Sequence, residues 1–153
     1  MYCYFDLVVS IFVTDLRGGS ILALQRATHA TLHALAEELA GRGLNSSETN
    51  VLAVLADGRP RAVGDLAVAT ATRPTTLTSV LDRLAGRGLV VRELDPADRR
   101  SFVVELTGPG RDTAAAVSTA VRRLERAALT GVSERDLAGF RAVLNALTDE
   151  HPH

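Results

Sequence analysis

Over residues 63–107 the spacing of apolar side chains changes from the 3.6-residue period of a helix to the two-residue period of a strand. That change limits the chain to few folds. Val63, Leu66 and Ala67 share one side of a short helix over residues 63–69. Thr70-Ala71-Thr72 is a turn, and Pro74, whose fixed φ suits a first helical position, starts a second helix that runs to about Arg87. Leu77, Val80, Leu81 and Leu84 stand at i, i+3, i+4 and i+7, a single apolar stripe, and Gly88 closes the helix. Residues 89–94 and 101–106 then take on strand character, with Phe102, Val104 and Leu106 alternating with Val103 and Glu105. The turn-rich, charged link over residues 95–100 makes the two strands a hairpin tipped with arginines.

Helices flank this unit on both sides. Residues 20–41 carry Ile21, Leu24, Leu32, Leu35 and Leu39 on one face; Ser20 can cap the start, and Gly41 and Gly43 end the run. Asn45 and Glu48 form a capping-box pair before the stripe Val51, Leu52 and Leu55, which Asp57-Gly58 stops. Arg59-Pro60-Arg61 reads as an extended connector. Thr107-Gly108-Pro109-Gly110 caps a long helix over residues 111–129, with Ala114, Val117, Val121, Leu124 and Ala128 in line. Ser133 and Asp136 open a last helix whose Leu137, Phe140, Leu144 and Leu147 follow the 3-4-3 spacing of a helix that packs on other helices. With 46% hydrophobic but only 4% aromatic residues, such a chain fills its core with aliphatic side chains, which suits helices better than a sandwich.

The net charge of -1 is unevenly spread. Residues 59–100 hold 8 Arg against 5 acids, a surplus of three, while the remainder is acidic. The basic surplus therefore falls on the two-helix and hairpin unit. On the helix from Pro74, burial of the Leu/Val stripe leaves Thr75, Thr76, Thr78, Ser79, Asp82 and Arg83 outside. An ordinary solvated face carries Glu, Gln, Lys or Arg; a Thr/Ser face forms helix poorly and needs another reason. Short hydroxyl side chains let a helix approach DNA closely, bond phosphates and base edges, and meet thymine methyls. Arg73 stands at the helix start, where the backbone dipole also favours phosphate. Arg99 and Arg100 stand at the hairpin tip, where a guanidinium can enter a minor groove, and Asp98 can brace Arg100.

The stretch over residues 62–110 resembles the winged helix-turn-helix core of the MarR family (multiple antibiotic resistance regulators). The matching parts are LTSVLDRLAGRGLVVR, the following DPADRR, and the exit formed by Leu106, Thr107 and Gly110. The order of flanking helices extends the resemblance to about residues 20–149. It implies a mainly α fold with a small β-hairpin wing, and a homodimer joined by its first and last two helices on a pseudo-palindromic operator of double-stranded DNA. It implies a dimerisation helix over residues 20–44, a DNA-binding domain over 45–110 and C-terminal dimerisation helices over 111–149. It places residues 75–83 on the recognition helix and Asp98 and Arg100 in the wing's Asp-x-Arg motif. The family's second helix often has Gln and a large apolar residue where this chain has Glu48, Thr49 and Asn50, so the shape of a ligand pocket there need not follow the family.

Family members usually release DNA when a small aromatic or lipophilic compound wedges between the dimer helices and the DNA-binding lobe, or when a cysteine is oxidised. The single cysteine, Cys3, lies outside the matched stretch, excludes an internal disulfide and fits a cytoplasmic protein. His29, His33 and Glu37 stand at i, i+4 and i+8; His29 and His33 are the candidate ligand contacts, and the pair leaves a metal-responsive regulator as an alternative. A winged-helix module that binds only proteins is the other alternative, but it calls for an apolar or acidic face where this one is Thr/Ser. No Gly-rich phosphate loop, serine elbow or clustered nucleophile suggests an enzyme or a cofactor. No apolar run reaches the roughly 20 residues of a membrane span. Residues 1–19 read as an extension holding four of the six aromatics, either an added element that covers the dimer or the product of a start at Val13 read as internal.

Overall fold

The computed structural model describes residues 19–95 and 101–149. Cys3 and the rest of the N-terminal extension up to residue 18, and the wing-tip candidates Asp98, Arg99 and Arg100, lie outside the described residues. The elements in order are α1 (Ser20–Glu38), a 3-10 turn (Ala40–Arg42), α2 (Ser46–Leu55), β1 (Arg61–Ala62), α3 (Val63–Ala69), α4 (Pro74–Gly86), β2 (Val90–Leu94), β3 (Phe102–Leu106), α5 (Gly108–Ala128) and α6 (Glu134–Asp149). The strands form one antiparallel sheet in the order β1-β3-β2. Val90 pairs with Leu106 and Leu94 with Phe102, the register of a simple hairpin. This is a mainly helical winged helix-turn-helix fold.

Its core draws on every helix from α2 to α5 and on β2 and β3. Leu52, Leu55, Leu66, Leu77, Leu81, Leu84, Val104 and Val117 are fully buried, and Val51, Val80, Val90 and Ala114 nearly so. Each such aliphatic side chain contributes about 1.5–3 kcal/mol when removed from water. The predicted stripe of α4 is buried throughout, which fixes the rotation of that helix. Apolar residues toward the outer ends of the chain are different: Ile21, Leu22, Val132, Phe140 and Val143 are exposed, and no residue of α6 joins the core.

Several local expectations change. Arg61 is not part of a connector but pairs, with Ala62, to Val104 and Val103 as an edge strand. Two residues after a proline are too few to show alternation in a sequence. Ser20 does not cap α1; Gly19 is the N-cap, its carbonyl accepting from Leu22 and Ala23, with no side-chain bond. Nor does Gly41 end the helix, which closes at Glu38 because Leu39 turns into the core; the left-handed residue that ends the following turn is Gly43, at φ 59°. The Asn45–Glu48 capping box is present, with the Asn45 side chain accepting from the Glu48 amide at 2.9 Å. Helix α5 starts at Gly108 rather than Arg111, since a first helical turn needs no amide from Pro109.

Gly110 allows the wing to meet α5. A Cβ there would lie 1.8 Å from the Leu89 carbonyl oxygen. The same backbone approach lets the Thr107 amide donate to Leu89 at 3.1 Å and the Thr107 hydroxyl donate to Gly88 at 2.6 Å. Gly110→Ala must move backbone rather than a flexible side chain, so it is expected to lower unfolding free energy by about 1–3 kcal/mol. Gly108→Ala, with nothing within 4 Å of its new methyl, is expected to change it by less than about 0.5 kcal/mol. Urea unfolding of both variants at one protein concentration checks the contrast.

Candidate nucleic-acid interface

The turn before α4 is held by side chains on three sides. Buried Thr70 donates its hydroxyl to the Leu66 carbonyl at 2.7 Å, and the Asn50 side-chain amide donates to the Thr70 carbonyl at 3.2 Å. Ala71 takes a left-handed conformation, φ 48°, which costs a non-glycine residue about 1–2 kcal/mol. The Thr72 amide then reaches the Ala67 carbonyl at 2.9 Å. Arg73 is the N-cap of α4 in an extended conformation and Pro74 its first residue. Thr49 is buried and Asn50 holds the turn, so the positions at which α2 departs from the family serve the core and the turn.

Four hydroxyl residues of α4 are exposed together: Thr75, Thr76, Thr78 and Ser79. Thr78 donates to the Pro74 carbonyl at 3.0 Å and Ser79 to the Thr75 carbonyl at 3.5 Å, which leaves their oxygens able to accept. Among the described residues the hydroxyls of Thr75 and Thr76 carry no hydrogen bond. Arg73 is also exposed, and its side chain has no ion partner among the described residues. The result is a polar, short-chained surface at the N-terminal half of α4, on the side opposite the stripe.

The C-terminal half of α4 is braced from behind. Arg83 donates its Nε to Glu48 Oε1 at 3.0 Å, and Arg87 donates Nη1 to Glu48 Oε2 at 3.4 Å. Arg87 also donates to the carbonyls of Arg42, at 2.6 Å, and Gly43, at 3.1 Å. Glu48 is thus both capping-box partner and the ion partner of two arginines. Sequence reasoning saw only the first role. The signal for the second was the four-residue spacing of Arg83 and Arg87, which puts both on one face of the helix end. Asp82, expected on the open face, pairs with Arg92 of β2 and ties α4 to the hairpin. Before β1, the Arg59 amide and the Arg61 guanidinium hold the Asp57 carboxyl below its ordinary range.

His29 and His33 lie on α1, away from this surface in the chain. His33 Nδ1 lies 3.5 Å from Glu37 Oε1. His29 lines an open groove with Leu22, Gln25, Arg26 and Ala30. Among the described residues no group of three or more His, Cys, Asp or Glu side chains is arranged to hold a metal ion.

The sequence model of the MarR family matches residues 42–101. The chain is similar to an HTH-type transcriptional regulator of Mycobacterium tuberculosis, MT0903.1, with 33% identity over 109 residues that span 69% of this chain and 76% of the relative. It is also similar to the HTH-type transcriptional repressor NicR of Pseudomonas putida, with 28% identity over 106 residues, 69% of this chain and 67% of the relative. Among solved structures, a MarR-family regulator of Silicibacter pomeroyi superposes with a TM-score of 0.73 at 28% identity, covering 88% of this chain and 92% of that one.

The Asp82–Arg92 pair is open to water on the acid side, where Asp82 is 61% exposed. Asp82→Ala is therefore expected to cost less than about 1 kcal/mol in urea unfolding. A loss of more than about 2 kcal/mol would mean that the pair is desolvated and structural in the sense of a buried ion pair.

Proposed function

The chain belongs to the MarR family of winged-helix transcription regulators, and from that membership we propose that it acts as a homodimeric repressor released from a pseudo-palindromic operator by a small aromatic or lipophilic effector. It is a sequence-specific DNA-binding regulator, and the observation that carries this reading is the division of α4. One face is buried to the last side chain; the other offers Thr75, Thr76, Thr78 and Ser79, flanked by Arg73 and Arg83. A helix of this kind enters the major groove with its N-terminal residues at the base edges. Asp98, Arg99 and Arg100 fall between Asp95 and Ser101, whose backbone bond of 2.9 Å closes the described end of the hairpin, and we assign an arginine of the tip to the minor groove beside it, with Asp98 as the brace of Arg100.

Dimerisation is supported by the apolar residues outside the core. Ile21 on α1 and Phe140 and Val143 on α6 are each at least half exposed, and Leu137, Leu144 and Leu147 are only partly covered. A seam of that length needs a second surface, and a second copy supplies it on residues 20–44 and 111–149, leaving residues 45–110 to hold DNA. The groove beside His29 and Arg26 supports an effector with an aromatic body and an anionic group, with His29 as its polar neighbour and His33 one turn further along α1. No helix of the described residues is long and apolar enough to cross a membrane, and a cytoplasmic regulator without enzymatic activity fits the family.

Retardation of the gene's own upstream region in a gel tests the reading. Binding is expected to weaken steeply as salt rises, because arginines that neutralise phosphates release counterions. Arg100→Ala is expected to cost about 1–3 kcal/mol of operator affinity. Unchanged affinity in that variant would remove the wing from the interface.

A further inference from the structure

Glu48 is only 3% exposed, yet its carboxylate accepts from three donors: the Asn45 amide at 3.1 Å, Arg83 Nε at 3.0 Å and Arg87 Nη1 at 3.4 Å. Burying a carboxylate costs desolvation that its ion pairs do little more than offset, so net stability is a poor reason for this cluster. Its geometry offers a better one. Arg87 is anchored independently, by the carbonyls of Arg42 and Gly43, so it holds Glu48 rather than being held by it. Arg83 has no such anchor. It gives only Nε to Glu48, its side chain is half exposed, and its two terminal amines have no hydrogen-bond partner among the described residues.

We propose that Glu48 is a positioning residue for DNA recognition: by gripping Arg83 at Nε it aims the two terminal amines of that guanidinium, as a ready-made fork, at a pair of acceptors on DNA. The inference rests on the DNA-binding reading above. An arginine fixed at Nε loses less rotamer freedom on binding than a free one, so more of its contact energy reaches the complex. The acceptors that match a planar fork are two oxygens of one phosphate or O6 and N7 of one guanine. Asn45 caps the start of α2 and, among the described residues, makes no hydrogen bond to either arginine, so it separates the stability of the helix start from the aim of Arg83.

The test is fluorescence anisotropy on a duplex carrying the gene's upstream region, with melting curves on every variant. Glu48→Ala and Arg83→Ala are each expected to weaken binding about tenfold, and the double variant no more than either alone, because both remove one coupled unit. Glu48→Gln, which keeps an acceptor oxygen, is expected to restore most of the affinity. Arg83→Lys is expected to fail as Arg83→Ala does, since an ammonium has the charge but no fork. Asn45→Ala is expected to lower the melting temperature and leave affinity unchanged. A loss confined to one guanine of the half-site identifies a base edge; a uniform loss with a shallower salt dependence identifies a phosphate, and either supports the proposal. An additive double variant, about a hundredfold weaker, overturns it. So does Arg83→Lys binding like the wild type, a comparison that holds even where Glu48→Ala does not fold. Wild-type protein that retards no DNA overturns the DNA-binding reading and this proposal together, whereas wild-type binding with additive variants overturns the proposal alone.

Discussion

Burial of Leu77, Val80, Leu81 and Leu84 is the constraint on which the rest of the molecule depends. A helix has one rotation in which all four enter the core, and that rotation alone decides which residues of α4 meet solvent. The core pays for a surface that would not form a stable helix by itself: Thr and Ser have poor helix propensity, and the run from Thr75 to Ser79 contains only one apolar residue, Leu77. The same packing brings α5 and the hairpin into place, because Val90, Val104 and Val117 complete the cluster that the stripe begins. The Thr/Ser surface, the wing and the helix that leaves the wing are thus positioned by one set of aliphatic contacts.

The charges add direction to this frame. Eight arginines between residues 59 and 100 suggest a broad basic face, yet four of them are already engaged. Arg61 pairs with Asp57, Arg83 and Arg87 with Glu48, and Arg92 with Asp82. The acids of the lobe are therefore less a reduction of its positive field than a means of fixing its arginines. Arg73 stays exposed at the end of α4 where the helix dipole is also positive. Fixed arginines contribute shape and Arg73 contributes field, a division that net charge alone hides.

Much of this was legible in the sequence because the signals are periodic. The α4 stripe, the Pro74 start, the Asn45–Glu48 cap and the hairpin pairing all follow from spacing and from residues with narrow conformational preferences. What was not legible depends on contacts between distant segments. Arg61 and Ala62 form a strand only because β3 offers them an edge. Ala71 adopts a left-handed turn with none of the usual glycine or asparagine, since Thr70, Asn50 and Thr72 fix the backbone around it. Arg83 could be placed on the open face by periodicity, but its grip on Glu48 spans 35 residues, and no local rule reports it.

DNA reading by this protein depends on the helix with two faces. The direct measurement is protection of guanine N7 from methylation on the operator, because N7 lies in the major groove. Two protected segments are expected, centred about one helical turn, 10–10.5 base pairs, apart or a multiple of it, as two copies of α4 would give. Specific binding without protection of any guanine N7 would show that α4 does not occupy the major groove.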